Sequence, residues 1–209
     1  MTSMALADVA AAWQRDGHFQ VQGVLDMSRS RALLDEARSF ETEAFDRINT
    51  AVGWKAHREG GLSSAQRCRA HRAGPALKAM AHDRSLIDIV RTALRSDIIV
   101  PTRMGYKYYR AGDFMAAHRD DFKCTVTLSI AVTDNLGIMG WLPELRGLSN
   151  SALIEELSQR GDFPQTSSTM PLTQGTVMAF DGFNIPHWRS PFETEDLGIL
   201  ATICYFALD

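Results

Sequence analysis

The sequence predicts an α+β protein, mainly β, in which N-terminal helices buttress an antiparallel sheet that curls into a sandwich or barrel. Its 209 residues, 45% of them hydrophobic, suffice for one domain with a proper core. Helical spacing of apolar residues prevails in 1–97, whereas 98–209 holds short β-rich runs separated by Gly and Asp. We therefore expect a single domain over 1–209, with mainly helical support in 1–97 and a β core in 98–209.

The N-terminal half begins with a helix and a strand. Residues 5–13 have helical periodicity, and the alternation in 18–25 is typical of a strand. Ser28 or Ser30 offers an N-cap for an amphipathic helix that continues to about Ile48. We expect the chain to fold as helix, strand and helix in this region.

The remaining elements follow from loop and strand signals. Residues 50–74 are rich in Gly, Ser, Arg and His without periodicity, which predicts a long loop, and helical periodicity returns over 75–95. An insertion at 134–174 is expected to contain a helix over 151–158 and coil over 161–175. The predicted strands of the second half are 98–100, 104–109, 124–132, 176–180 and 199–208.

Composition and charge exclude several classes of partner. The net charge is −3 and the sequence pI is about 6.1, so we expect neither a nucleic acid nor an anionic membrane as partner. No apolar run approaches the length of a membrane helix, and Asp8 interrupts any secretory signal. Cys68, Cys124 and Cys204 are odd in number and lack CxxC spacing, which argues against a disulfide framework and a zinc site. A reducing cytoplasm is the expected location.

A candidate metal site begins at His118 and Asp120, just before a β-rich run. On an extended backbone both side chains project from one face, while Arg119 points to the other. An imidazole and a carboxylate are two of the three ligands in the facial triad of non-haem iron, and His187, after a later β-rich run, would complete it. A second H-x-[DE] pattern occurs at 57–59 without strand context. Taken alone, either pattern is weak evidence for a metal and is more simply explained by a surface histidine paired with a carboxylate.

Five segments together resemble the iron(II)- and 2-oxoglutarate-dependent oxygenases, of the phytanoyl- and prolyl-hydroxylase-like kind. They are Tyr109–Asp120 (Y-x-x-G-D-F-x-x-x-H-x-D), Thr125–Ile130, Gln174–Asp181, Pro186–His187 and the opening helix-to-strand segment 13–25.

The resemblance implies a double-stranded β-helix, a cupin-like jelly roll, and Fe(II) bound by His118, Asp120 and His187. It further implies 2-oxoglutarate and dioxygen as co-substrates. The expected reaction couples decarboxylation of 2-oxoglutarate to hydroxylation of a small molecule, such as an amino acid or a biosynthetic intermediate.

The sequence departs from this family where the co-substrate is anchored. Many members carry a basic residue about ten positions after the distal histidine, where this chain has leucine and glycine. Arg189 shares a face with His187 if the backbone is extended, and its guanidinium can bind a carboxylate. Arg103, Lys107 and Tyr109 have one parity on the strand leading to His118 and form the competing anchor; Tyr109 matches a family tyrosine that donates to the co-substrate.

Substrate contacts are expected from the loop 50–74 and the insertion 134–174. Two other functions stay open: a non-haem iron oxidase or isomerase that does not use 2-oxoglutarate, and a cupin-like binding protein without catalysis. The sequence predicts no oligomeric state. The candidate substrate contacts are Trp141, Arg146, Arg69, His71 and Arg72.

Overall fold

The computed structural model describes residues 6–21, 24–50, 53–56, 60–134 and 136–208. Short 3₁₀ turns occur at Glu41–Glu43 and Pro143–Leu145. The α-helices of these ranges are α1 (Leu6–Asp16), α2 (Met27–Ser39), α3 (Pro75–Ala81), α4 (Arg84–Leu94) and α5 (Asn150–Arg160). The strands are β1 (His18–Val21), β2 (Phe45–Asn49), β3 (Lys55–Ala56), β4 (Leu62–Ser63), β5 (Gln66–Arg72), β6 (Ile99–Tyr109), β7 (Phe114–His118), β8 (Val126–Ala131), β9 (Ile138–Trp141), β10 (Thr169–Pro171), β11 (Val177–Phe180), β12 (His187–Arg189) and β13 (Gly198–Ala207).

One large antiparallel sheet forms the body of the fold, as predicted. Its strands follow the order β1-β11-β8-β13-β6-β5-β7-β12-β9-β10, and β2 pairs with the outer side of β5. The strand β5 pairs with β6 through Arg69–Arg72 and with β7 through Gln66–Arg67. It therefore joins two halves of the sheet, which curl around a shared interior.

The N-terminal helices cover one face of the sheet, and alternate side chains of β6 point toward these helices. The hydroxyl of Tyr106 donates to Glu36 on α2 at 2.7 Å, and the hydroxyl of Tyr108 donates to the carbonyl of Ala37 at 2.7 Å. Both tyrosines belong to the larger core cluster, which packs α1 to α4 against the sheet. The alternate residues of β6 consequently face the interior of the curled sheet.

Two predictions about the segment between α2 and α3 were wrong for one physical reason. The helix α2 ends at Ser39 and not near Ile48, and the predicted loop 50–74 contains β5. Strands β2 and β5 form a paired ladder over five residues, and each satisfies the backbone groups of the other. This pairing joins segments whose local strand signals are weak or absent, so 1–97 contributes β2 and β5 to the sheet in addition to the predicted strand β1.

Capping also differs from the prediction. The N-cap of α2 is Asp26, whose carboxylate accepts the Arg29 N–H at 2.8 Å, so neither Ser28 nor Ser30 caps this helix. The predicted helix 75–95 is divided into α3 and α4, because Asp83 caps the second helix by accepting the N–H of Leu86.

Part of the predicted insertion 134–174 belongs to the sheet. The helix α5 lies where sequence periodicity predicts a helix, but β9 pairs with β12 in the register His187↔Trp141 to Arg189↔Met139. The strand β10 then pairs with β9 in the segment expected to be coil. No helix in the described part of the chain has the length and apolar character needed to cross a membrane.

The cysteine spacing argued against a disulfide framework, but the structure contains a disulfide bond. Cys124, in the loop that follows β7, is bonded to Cys204 on β13, and Cys68 is a buried free cysteine. The two bonded cysteines are 80 residues apart in sequence, and pairing of β13 with β8 brings them together. Sequence spacing carries no information on a contact of this kind.

Replacing Cys124 with alanine is expected to lower the free energy of unfolding by about 2–4 kcal/mol, because a cross-link that closes a long loop restricts the unfolded chain. Urea unfolding under oxidising conditions measures this loss. Dithiothreitol should destabilise the wild type to a similar extent and leave the variant unchanged. An equal effect of dithiothreitol on both proteins would contradict the assignment of the bond.

Candidate active site

Three side chains predicted as metal ligands meet inside the curled sheet. His118 ends β7, His187 begins β12, and the two residues are directly paired across the strands. Asp120 follows β7 and faces both rings: its carboxylate oxygens lie 4.0 Å from Nε2 of His118 and 3.9 Å from Nε2 of His187. One nitrogen or oxygen of each residue lies within 4.8 Å of the others, so the three groups can converge on a single ion.

Backbone carbonyls orient both imidazole rings. Nδ1 of His118 bonds to the carbonyl of Ala116 at 2.9 Å, and Nδ1 of His187 bonds to the carbonyl of Ile185 at 3.0 Å. A ring that donates Nδ1–H to a carbonyl carries its lone pair on Nε2, which here points toward Asp120. Burial, with the neighbouring ring of His187, lowers the pKa of His118 to about 3, and burial also lowers the pKa of His187. Both rings are therefore neutral near pH 7, the form that binds a metal.

Asp120 is held in place through both its side chain and its backbone. The hydroxyl of Thr127 donates to its Oδ2 at 2.6 Å, and the backbone N–H of Asp120 donates to the carbonyl of Gly182 at 2.8 Å. Burial alone would raise the pKa of Asp120, but the facing imidazoles and the Thr127 hydroxyl outweigh it and lower that pKa. Two neutral imidazoles and one carboxylate form a donor set that fits non-haem Fe(II).

Replacing Gly182 with alanine is expected to abolish stoichiometric Fe(II) binding. A Cβ at this position would lie 2.3 Å from Oδ2 of Asp120 and 2.5 Å from Oγ1 of Thr127, so the ligand carboxylate must move. Anaerobic Fe(II) titration followed by calorimetry measures the loss, with circular dichroism as the control for folding. A folded Gly182→Ala variant with wild-type iron affinity would contradict this arrangement of the carboxylate.

The three residues open into a cavity of about 650 Å³ between the two halves of the sheet. Apolar side chains and basic side chains share its walls. The apolar members are Leu62, Met115, Met139, Phe180, Trp188 and Leu200. The basic members are Arg47, Arg103, Lys107, Arg119 and Arg189.

Arg189 lies on the same wall as His187. It is 4% exposed, and its guanidinium donates to the carbonyl of Leu136 at 3.0 Å and lies 5.2 Å from the centre of the Tyr109 ring. No carboxylate among the described residues pairs with it. The hydroxyl of Tyr109 is buried and has no hydrogen-bond partner in the described part of the chain. A buried cation and an unpaired hydroxyl at one place fit an anionic ligand.

The alternative anchor residues take different positions. Lys107 lines the cavity with its Nζ 3.6 Å from Sδ of Met115, and burial lowers its pKa to about 8. Arg103 also lines the cavity, but it is half-exposed and forms an ion pair with Asp121. Arg103 is therefore already neutralised by a carboxylate, unlike Lys107 and Arg189.

None of the five candidate substrate contacts lines the cavity. Trp141 is fully buried between His18 and Phe180, and Arg146 forms an ion pair with Asp181 at 2.8 Å. Arg69, His71 and Arg72 lie on β5. Arg69 and His71 point to the face opposite that of Gln66, which lines the cavity, and Arg72 ends the strand outside the cavity. The second H-x-[DE] pattern, at 57–59, lies outside the described residues.

The polar side chains that β2, β5 and the turn before β5 contribute to the cavity were not predicted from the sequence. Arg47, Ser64 and Gln66 all line the cavity, although the sequence places them in a helix or a loop. The one signal that could have found them was the short alternation in Gln66–Arg72, which has buried residues at Cys68 and Ala70.

No protein-family model matches the chain, and no curated protein matches it by sequence. Solved structures do match. SnoN, the non-haem α-ketoglutarate-dependent epimerase of nogalamycin biosynthesis, aligns with a TM-score of 0.74 at 17% identity, covering 97% of this chain and 80% of SnoN. AviO1 from Streptomyces viridochromogenes aligns with a TM-score of 0.69 at 20% identity, covering 100% of this chain and 99% of AviO1.

A prolyl-4-hydroxylase from Pseudomonas putida aligns with a TM-score of 0.60 at 17% identity, covering 98% of this chain and 100% of that one. At such identities the likeness is one of fold. The chain has the double-stranded β-helix fold found in non-haem iron- and 2-oxoglutarate-dependent enzymes.

Proposed function

We propose that this protein is an Fe(II)- and 2-oxoglutarate-dependent oxygenase that hydroxylates a small molecule. One observation carries the proposal: a His118, Asp120 and His187 triad opens into the same cavity as the buried, unneutralised guanidinium of Arg189. The matching structures support it, because SnoN was solved with Fe3+, α-ketoglutarate and nogalamycin RO, and HygX with nickel, 2-oxoglutarate and hygromycin B.

The residues of the chain have separable parts in this function. The triad would hold Fe(II) through Nε2 of each histidine and a carboxylate oxygen of Asp120. Arg189 and the Tyr109 hydroxyl would bind the distal carboxylate of 2-oxoglutarate, which would satisfy a buried charge and a buried donor at once. Lys107 is the alternative anchor. When bound, iron with 2-oxoglutarate and dioxygen supplies the oxidation of a C–H bond, with succinate and carbon dioxide as co-products.

The protein walls would limit water access and orient the substrate. Phe180 packs against His187 with ring centroids 4.6 Å apart, and Trp188 and Leu200 add apolar surface to the same cavity. Excluding water strengthens the charge interactions of Arg189 and protects the reaction from side products. A cavity of about 650 Å³ is in the range that small-molecule sites occupy.

An anaerobic titration with Fe(II), with and without 2-oxoglutarate, tests this function. We expect one Fe(II) per chain and a weak visible charge-transfer band only when both are present. Glutarate is the matched control, since it has the same carboxylates but no 2-oxo group for chelation. Iron binding without the band would favour an oxidase or isomerase that does not use 2-oxoglutarate, and the absence of iron binding would favour a non-catalytic binding protein.

A further inference from the structure

The cavity carries more positive charge than the proposed reaction requires. Five basic side chains line it, against two carboxylates, Asp120 and Asp121. The carboxylate of Asp120 faces the two histidines, and the carboxylate of Asp121 is paired with Arg103. Neither carboxylate is left to neutralise another cation.

The other basic side chains of the cavity differ in their hydrogen-bond and ion-pair partners. Arg119 donates to the carbonyl of Leu148 at 2.8 Å and to the side chain of Asn150, so its guanidinium is bound by the segment that leads into α5. Three cations then face the cavity without a carboxylate partner among the described residues. They are Arg47, Lys107 and Arg189.

Arg47 differs from the other two because it lies at the mouth. It is exposed on the edge strand β2, it lines the cavity, and its guanidinium makes no hydrogen bond or ion pair with any residue in the described ranges. Its partner across the ladder is Cys68 on β5, so its side chain points to the same face as Cys68. Arg47 and Lys107 line the same cavity, so both cations face the same ligand space.

The side chain of Gln66 adds a neutral polar group between the cavity mouth and the inner wall. Gln66 on β5 is paired with Met115 on β7, and Met115 is paired with Arg189 on β12. Gln66 lines the cavity, and no hydrogen bond of its side chain to another described residue is present. An amide placed here can bond to a second oxygen of a group that Arg47 holds.

We propose that the substrate of this site is a small oxyanion, a molecule with a carboxylate or phosphate group that the guanidinium of Arg47 binds at the cavity mouth. This inference rests on the proposed function, in which the distal carboxylate of 2-oxoglutarate occupies one inner cation only. A second anionic group would pair with the positive charge that 2-oxoglutarate leaves without a partner at the mouth. A guanidinium binds planar oxyanions through two parallel hydrogen bonds, which orients the rest of the molecule toward the triad.

Affinity selection with mass spectrometry tests this on a mixture of candidate compounds. The protein is loaded with Zn(II) and saturated with 2-oxoglutarate, so the inner anchor is filled. It is then exposed to small carboxylic acids, phosphate monoesters, and the matched carboxamides and alcohols. We expect acids or phosphates to be retained at least about tenfold more than their neutral counterparts, and the two anionic arms identify which group is preferred.

Arg47→Gln removes the charge and is expected to reduce that retention by at least about tenfold, whereas Arg47→Lys should retain part of it. Arg72→Gln, an exposed arginine of β5 outside the cavity, is the matched control and should behave as the wild type. Equal retention of neutral and anionic compounds, equal retention by Arg47→Gln and wild type, or retention of no anion would each overturn the proposal.

The proposed function can fail separately from this inference. Calorimetry on the same samples measures 2-oxoglutarate binding, and a protein that does not bind it is not the proposed oxygenase. The selection repeated with Zn(II) alone still reports whether anions are preferred and whether Arg47 is responsible.

Discussion

His187→Ala is expected to abolish stoichiometric Fe(II) binding and to lower the turnover of 2-oxoglutarate by more than about 100-fold, since loss of even an outer partner of a metal ligand costs up to that amount. The substitution removes one of three protein ligands and leaves Asp120 facing only one imidazole. His118→Ala should have the same effect, because the two rings are equivalent partners across β7 and β12. Anaerobic iron titration and succinate formation measure both losses.

His82→Ala is the matched control for these histidine variants. His82 lies at the C-cap of α3, where its ring bonds to the carbonyl of Lys78, and it does not line the cavity. It should retain one Fe(II) per chain and full turnover. Full activity in His187→Ala would disprove the metal assignment. Loss of activity on substitution of His57 alone would instead indicate the second H-x-[DE] pattern.

Arg189→Gln is expected to weaken 2-oxoglutarate binding by about two to four orders of magnitude, because breaking a buried charge pair costs about 3–5 kcal/mol. Glutamine keeps most of the volume and a donor toward the carbonyl of Leu136 but removes the charge. Calorimetric titration of the Zn(II)-loaded protein with 2-oxoglutarate measures the change. Iron affinity should remain at the wild-type level, since Arg189 does not contact the triad nitrogens.

Two further variants separate the competing anchors. Lys107→Met removes the other buried cation, and Arg103→Gln removes a cation that is already paired with Asp121. We expect both to bind 2-oxoglutarate within about tenfold of the wild type, a smaller loss than for Arg189→Gln. A larger loss of 2-oxoglutarate affinity in Lys107→Met than in Arg189→Gln would identify Lys107, on β6, as the anchor.

Side-chain parity explains why the candidate site could be predicted at all. His118 and Asp120 are two residues apart, as are Lys107 and Tyr109, so the two side chains of each pair share a face on an extended backbone. The structure places all four on the cavity wall. The face was predicted from local geometry alone, and the intervening Tyr108 lies on the opposite, helix-covered face.

The errors have a common origin in contacts between distant segments. The segment 45–49 carries a weak helical pattern, yet it forms β2 because β5 pairs with it. Trp141 was expected in an inserted loop, but its pairing with His187 makes it part of the core sheet. The bond between Cys124 and Cys204 likewise depends on the approach of β13 to the loop after β7.

The sequence by itself determined the α+β class, the concentration of strands in the second half, and the three side chains that could bind a metal, because periodicity and residue chemistry are local properties. Only the tertiary structure decided which cations share the cavity with that triad. Arg47 and Gln66 reach it through β2 and β5, and Arg103 is neutralised by Asp121. Strand pairing between remote segments sets these neighbours, and its energy comes from backbone hydrogen bonds and burial that no local pattern records.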